Sequence, residues 1–162
     1  MHHSGIGELM YHMYRMMYAG AYISQLYHAN KDLVMAGCLL HDIGKVREME
    51  TDNLANTIYT LDGQLETHLS LGMDMVKNYG KVLGTSEEVL KNIVHIIASH
   101  HGQQEFGAIT KPKTLEAYIV SICDDLDARA YMYEEMYKKL EPGQISDDRR
   151  IGINVNVYRP AL

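Results

Sequence analysis

Apolar positions recur at the helical interval along most of this chain. From Gly5 to Tyr27, Leu9, His12, Met13, Met16, Met17, Gly20 and Ile23 keep helical spacing, with Ser4 as a candidate N-cap and Glu8 in the first turns. A second helix starts after Asn30, with Asp32 in its first turn. Leu33, Val34, Met35, Ala36, Leu39 and Leu40 make it apolar almost all round, the pattern of a central, buried helix. The helical period returns at Leu65 and runs through His68, Leu69, Leu71, Gly72, Met75 and Val76 to a C-cap at Tyr79-Gly80. Ser86, Glu87 and Glu88 open the next helix, whose core face is Ile93, Val94, Ile96 and Ile97 and which ends at Ser99-His100-His101-Gly102. The longest helix runs from about Leu115 to Leu140 and stops at Pro142-Gly143.

Two stretches break this period. Between Val46 and Gly63, turn signals at Thr51-Asp52-Asn53 and Leu61-Asp62-Gly63 flank the β-prone Thr57-Ile58-Tyr59-Thr60, which predicts a small hairpin excursion. Near the end, Ile151, Ile153, Val155 and Val157 alternate strictly, as in a strand or an extended arm. The expected fold class is therefore all-α: a helical bundle with a small β-hairpin excursion and an extended C-terminal tail. No repeat, low-complexity tract or linker divides the 162 residues, so residues 1–162 read as a single domain.

Composition narrows the classes. Hydrophobic content of 46% and charged content of 22% are ordinary for a globular chain. No apolar run approaches the roughly 18 residues of a membrane span and no signal-peptide pattern opens the chain, so no membrane partner is expected. Cys38 and Cys123 lie in apolar segments without CxxC spacing and read as buried, reduced thiols of a cytoplasmic protein. A formal charge of −6 argues against a strong non-specific grip on nucleic acid. It leaves a phosphate substrate open, because bound divalent ions invert the potential of a carboxylate-rich site. Twelve Tyr and eleven Met enrich the helices, which with the alternating tail leaves a homo-oligomer open.

Nine histidines are many for this length, and their positions matter more than their number. The central helix ends in Leu39-Leu40-His41-Asp42-Ile43-Gly44-Lys45. Adjacent imidazole and carboxylate groups can ligate one divalent ion, and the second oxygen of Asp42 can reach another. Gly44 is expected to stop the helix, and Lys45 follows where a phosphate oxygen can be held. A buried ionised Asp is costly unless it is paired or bound to metal, which favours a ligand role for Asp42.

The remaining candidates, taken singly, also admit ordinary readings. His12 suits a hydrogen-bonded core position, His68 a helix start, and His100 and His101 a complement to a helix dipole. Asp124-Asp125-Leu126-Asp127 suits a solvated acidic face, although Asp124 and Asp127 are neighbours on one side and a cation would relieve their repulsion. His95 points about 140° away from His100 on an ideal helix and is the weaker candidate. His2 and His3 precede the first helix, and Lys111 and Lys113 lie in a basic loop.

Together, His12, His41, Asp42, His68, His100 and Asp124 make a nitrogen and oxygen donor set without thiolates. That suits two divalent metal ions (Mn, Fe, Co, Ni, Zn or Mg) sharing one carboxylate, rather than a calcium cage. Sites of this kind hydrolyse phosphate esters by activating water and stabilising charge on the attacking and leaving oxygens. Lys45 would neutralise a non-bridging phosphoryl oxygen.

The order His…His-Asp…His…His…Asp resembles the HD superfamily of metal-dependent phosphohydrolases. Several segments are similar to the HD domain of the YhaM-type 3′→5′ exoribonucleases. They are Met1-His2-His3 with Tyr11-His12, His41-Asp42-Ile43-Gly44-Lys45, Tyr59-Thr60-Leu61-Asp62-Gly63, Ser99-His100-His101-Gly102 and Asp125-Leu126-Asp127-Ala128. The ending, Lys139-Leu140-Glu141-Pro142-Gly143 and Tyr158-Arg159-Pro160, extends the likeness over essentially the whole chain. The resemblance implies an HD-domain bundle with His12, His41, Asp42 and Asp124 around one ion. Asp42 would bridge to a second ion held by His68 and His100. It further implies catalytic roles for Asp42, Lys45 and Asp127, the last orienting ligands or the leaving group. His2, His3, His101 and Lys45 would meet the substrate, and His95 would stand behind or beside them.

Two departures from that family shape the expected substrate. The family carries an OB-fold-like nucleic-acid-binding domain before its HD domain, whereas this chain begins where the HD domain begins. Asp125 also stands where the family commonly has Asn. The first, with the net negative charge, favours short oligonucleotides, nucleotides or cyclic nucleotides over long RNA, and the second favours metal retention over the approach of a polyanion. The expected activity is a metal-dependent phosphodiesterase that hydrolyses short or single-stranded nucleic acid from the 3′ end via a dinuclear metal-activated water. The alternatives are a nucleotide or cyclic-nucleotide phosphohydrolase and, from another class, a metal-stabilised non-catalytic interaction module.

Overall fold

Gly7, at φ 83°, leads the chain into α1 (Glu8–Leu26). The computed structural model describes residues 7–52, 56–149 and 152–162, so Ser4 and Gly5, His2 and His3, Asn53 and Ile151 lie outside the described residues. Helix α2 (Lys31–Leu40) begins where its sequence predicts, the Asn30 side chain accepting the Leu33 N–H at 3.1 Å. The Asn30 N–H in turn donates to Glu116 at 2.9 Å and ties this corner to the last helix.

The next elements are α3 (Lys45–Glu48), β1 (Met49–Thr51), β2 (Thr57–Tyr59) and α4 (Leu61–Leu65). The two strands form the expected small antiparallel hairpin, with Met49 opposite Tyr59. Leu61-Asp62-Gly63 is a helical turn rather than a simple reversal, because the Thr60 hydroxyl accepts the Gly63 N–H at 2.9 Å and caps it. Helices α5 (His68–Val82), α6 (Glu87–Ser99) and α7 (Leu115–Tyr137) complete the bundle, with Thr67, Ser86 and Thr114 as their N-caps. Helix α5 runs past Gly80, which stays helical against Leu90, and the chain reverses instead at Gly84.

Helix α2 packs against α1, α6 and α7. Val34 and Cys38 meet Met16, Ile96, Ala117, Val120 and Cys123 in the main core, and a smaller cluster of Val76, Ile93 and Ile97 joins α5 to α6. Burial of these side chains supplies the bulk of the driving force for folding. The helix is less enclosed than its apolar composition predicts, since Leu39 is 45% exposed. Both cysteines are buried and free. Among the described residues no helix is long and apolar enough to cross a membrane.

Gly44 does not stop a helix. It adopts φ −63° and ψ −20° and passes the chain into α3. Its role is steric: a Cβ here would run into the His68 carbonyl and lie 2.7 Å from the Gly72 amide nitrogen. The corner after α2 therefore presses directly on the first turns of α5, which brings Asp42 to His68.

The C-terminal stretch is an extended arm with a single bridge, Ile145 to Tyr158, among the described residues. Val157 is buried, and the Arg159 guanidinium donates to the Tyr137 and Leu140 carbonyls at 2.9 and 2.7 Å. The arm thus satisfies carbonyls that the end of α7 leaves open.

Candidate metal centre

The ends of three helices, the interiors of two more and one turn deliver the polar side chains of the cluster. His41 closes α2 and His100 closes α6, and the two are held the same way. Each Nδ1 lies 2.9 Å from the carbonyl oxygen three residues earlier, Cys38 for His41 and Ile97 for His100. A carbonyl can only accept, so Nδ1 carries the proton and Nε2 is turned to the interior. His68 opens α5, where Glu48 accepts both its backbone N–H (2.9 Å) and its Nδ1–H (3.1 Å) through one oxygen. His12, from the interior of α1, is gripped on Nδ1 by Asp127 at 2.7 Å, while its Nε2 lies 3.3 Å from Asp124. Asp127 is itself held by Arg15 at 2.6 Å.

Asp42 lies between these groups, and its two oxygens face different partners. Oδ2 accepts from Lys45 at 2.5 Å and lies 3.4 Å from His41 Nε2. Oδ1 lies 3.4 Å from His68 Nε2 and 3.8 Å from His100 Nε2.

Nε2 of His41, His68 and His100, together with Asp42 Oδ1, are buried without a hydrogen-bond partner among the described residues. Each such group costs about 1–3 kcal/mol unless something ligates it. Ligand atoms of His12, His41 and Asp42, of His41, His100 and Asp124, and of His68, His100 and His101 all lie within 4.8 Å of one another inside each set. Donors about 2.0–2.2 Å from one ion stand at comparable separations. The residues present therefore fit divalent cations.

The electrostatics agree with that fit. Burial alone would raise the Asp42 carboxyl, but His41, then Lys45 and His100, outweigh it and hold the group well below the usual carboxylate range. Asp124 is likewise raised by burial and then carried down to about 2, chiefly by the His12 hydrogen bond. Both aspartates are thus ionised at neutral pH. Burial, reinforced by His41, takes the His100 imidazole down to about 3 and keeps it a neutral donor. Burial opposes charge on His12 and His41 too, yet the aspartates prevail and raise both, His12 to about 9. A cation bound here would displace those protons.

The fold thus brings together His12, His41, Asp42, His68, His100 and Asp124, with Lys45 at the edge. His101, expected on the substrate side, stands within ligand distance of His68 and His100. Asp127 stands behind His12, where it positions the imidazole. His95 is elsewhere: its Nε2 accepts the Lys113 N–H at 2.9 Å and pins the loop after α6. Asp125 pairs with Arg129 at 2.7 and 2.8 Å, which offsets the extra negative charge at that position. His2 and His3 lie outside the described residues.

Sequence reading missed Glu48 and Arg15, the groups that hold His68 and Asp127. Nothing in Arg47-Glu48-Met49-Glu50 marks one glutamate over the other. Only the placement of α3 against α5 buries Glu48. Truncating Glu48 to Ala is expected to weaken divalent metal binding about tenfold to a hundredfold. Glu48→Gln, which keeps an acceptor oxygen, should lose less. Chelator competition with Mn²⁺ measures both, and equal affinities in all three proteins would remove Glu48 from the centre.

A cavity of about 610 Å³ opens onto the cluster. Its walls include His12, Asp42, Lys45, His100, His101 and Asp124, and farther out Leu9, Phe106, Ile122 and Arg129.

The HD domain family matches residues 9–129. Over 162 residues the chain is 33% identical to the 3′-5′ exoribonuclease YhaM of Shouchella clausii, covering 99% of this chain and 50% of that protein. The YhaM exoribonuclease of Geobacillus sp. is 34% identical over 98% of this chain and 49% of its own length. That of Bacillus subtilis is 32% identical over 99% and 51%. The chain spans about half the length of these curated relatives. No solved structure matches it significantly. The matched region runs from the helix that carries His12 to the one that carries Asp124, and on that ground the chain belongs to the HD-domain family.

Proposed function

We infer that this chain is a metal-dependent phosphodiesterase that removes nucleotides from the 3′ end of short or single-stranded nucleic acid. The observation that carries the reading is Asp42, a buried carboxylate whose two oxygens face two different groups of imidazoles. His12, His41, Asp42 and Asp124 would hold one divalent ion, and Asp42, His68, His100 and His101 a second. Bound ions of this class supply a water of lowered pKa and neutralise charge on phosphoryl oxygens. The names of the relatives, 3′-5′ exoribonucleases, support the choice of substrate and polarity.

The chain's own residues do the rest. Fixed Nδ1 hydrogen bonds on His12, His41, His68 and His100 hold each ring in one orientation, so the site need not reorganise as charge develops. Lys45, about one-third exposed at the cavity wall, neutralises an entering phosphate oxygen and holds it next to Asp42. Arg15 and Asp127 keep His12 in place from behind.

The test uses a 5′-labelled single-stranded oligonucleotide with Mn²⁺, beside a panel of nucleotides and cyclic nucleotides. The oligonucleotide should shorten stepwise, release nucleoside 5′-monophosphates, and stay intact once the metal is chelated. Intact oligonucleotide with consumption of one nucleotide would overturn the reading in favour of a small-molecule phosphohydrolase.

A further inference from the structure

The outer wall of the cavity carries an exposed aromatic ring that the hydrolytic chemistry leaves unused. Phe106, the single Phe of the chain, ends the 3₁₀ turn Gln104–Phe106 and is 69% exposed. It lines the same cavity as His101 and Lys45, with the apolar side chains of Leu9 and Ile122.

The ring is not on a loose tip. The Phe106 N–H donates to the Gln103 carbonyl at 3.1 Å, and the Gly107 N–H to that of Gln104 at 2.9 Å. Just beyond, the Ile109 and Thr110 N–H groups both donate to the Ala98 carbonyl of α6, at 2.9 and 3.2 Å. Gly107, at φ 97°, approaches His101 so closely that a Cβ would lie 3.3 Å from Nδ1. The turn that bears the ring is therefore tied through its backbone to the helix end that bears His100 and His101.

The buried and the exposed lining of the cavity differ in chemistry. The buried lining residues, Asp42 and His100 with Lys45 beside them, suit a phosphate with its metal ions, and the exposed Phe106 offers a planar apolar face. A cavity of about 610 Å³ falls within the roughly 300–1,000 Å³ of small-molecule sites. A nucleotide matches this division, because it joins an anionic phosphate to a flat base through a short sugar linker. Stacking on an aromatic face also tolerates any base.

We propose that Phe106 is the platform on which the 3′-terminal nucleobase stacks, with Leu9 and Ile122 as its apolar surround. The direction of the strand rests on the proposed activity, whereas the stacking contact belongs to this chain's own residues.

The experiment measures binding apart from turnover. A short fluorescent oligothymidylate whose 3′-terminal linkage is a phosphonate, with methylene in place of the leaving oxygen, is compared with the same strand ending in an abasic residue, by anisotropy in Mn²⁺. Wild-type protein should prefer the base-bearing end about tenfold. That ratio should collapse towards one in Phe106→Ala and persist in Phe106→Tyr. An equal ratio in wild type and Phe106→Ala, or no preference in wild type, overturns the proposal. Failure of the two readings is distinguishable. An unmodified oligonucleotide left intact in the turnover assay, together with a Phe106-dependent preference in the binding assay, would refute the exonuclease and keep the platform; cutting of the unmodified strand without that preference would do the reverse.

Discussion

Asp42→Ala is expected to abolish hydrolysis and strip the protein of bound metal together. Its two oxygens lie 3.4 Å from His41 Nε2 on one side and 3.4 Å from His68 Nε2 on the other. Removing them separates what the proposed centre shares: the imidazoles of His41, His68 and His100 lose the one carboxylate that stands near all three, and Asp124 remains only beside His41 and His100. Turnover should fall on the order of a thousandfold or more, about 4 kcal/mol of transition-state stabilisation. Elemental analysis of purified protein should show the metal content reduced in parallel. The control is His95→Ala, which loosens the loop at Lys113 and should keep most of the metal. Undiminished turnover in Asp42→Ala would contradict the mechanism at its root.

A second large effect is expected from Gly44→Ala, a change of one methyl group with no polar atom lost. The methyl would meet the His68 carbonyl and the Gly72 amide, and backbone atoms cannot rotate aside as side-chain ends do. Overpacking of this kind costs about 1–3 kcal/mol and occasionally more. For a chain of this size that corresponds to a fall in Tm of roughly 2–12 °C. The same methyl pushes the Asp42 corner off α5, so metal affinity should fall as well, with His68 the ligand most displaced. Thermal melting and metal titration of the variant read the two effects separately. Wild-type values for both would mean that α3 and α5 do not meet where the structure has them.

Much of the bundle is legible before folding is considered. The 3.6-residue period and the caps at Asn30 and Ser86 reflect local chemistry: an apolar stripe must be buried, and the first N–H groups of a helix need acceptors. The candidate ligands are legible for a related reason. Histidines and aspartates inside apolar stretches are costly, and a shared cation is the simplest way to offset that cost. His41 and Asp42 stand out because they end the most apolar helix. The hairpin was marked by composition, although the capped turn at Leu61–Leu65 was not, since Asp62 and Gly63 commonly mark reversals.

What the sequence by itself determined was the set of helices and the kinds of atom available to bind a metal, because periodicity and burial cost are properties of neighbouring residues. Only the tertiary structure decided which side chains would serve which others. It turned His101 towards His68 and His100, placed Asp127 behind His12, chose Glu48 over Glu50, and made Gly44 a contact rather than a stop. Those assignments depend on distances between residues far apart in the chain, which α1, α3, α5, α6 and α7 acquire only when packed together.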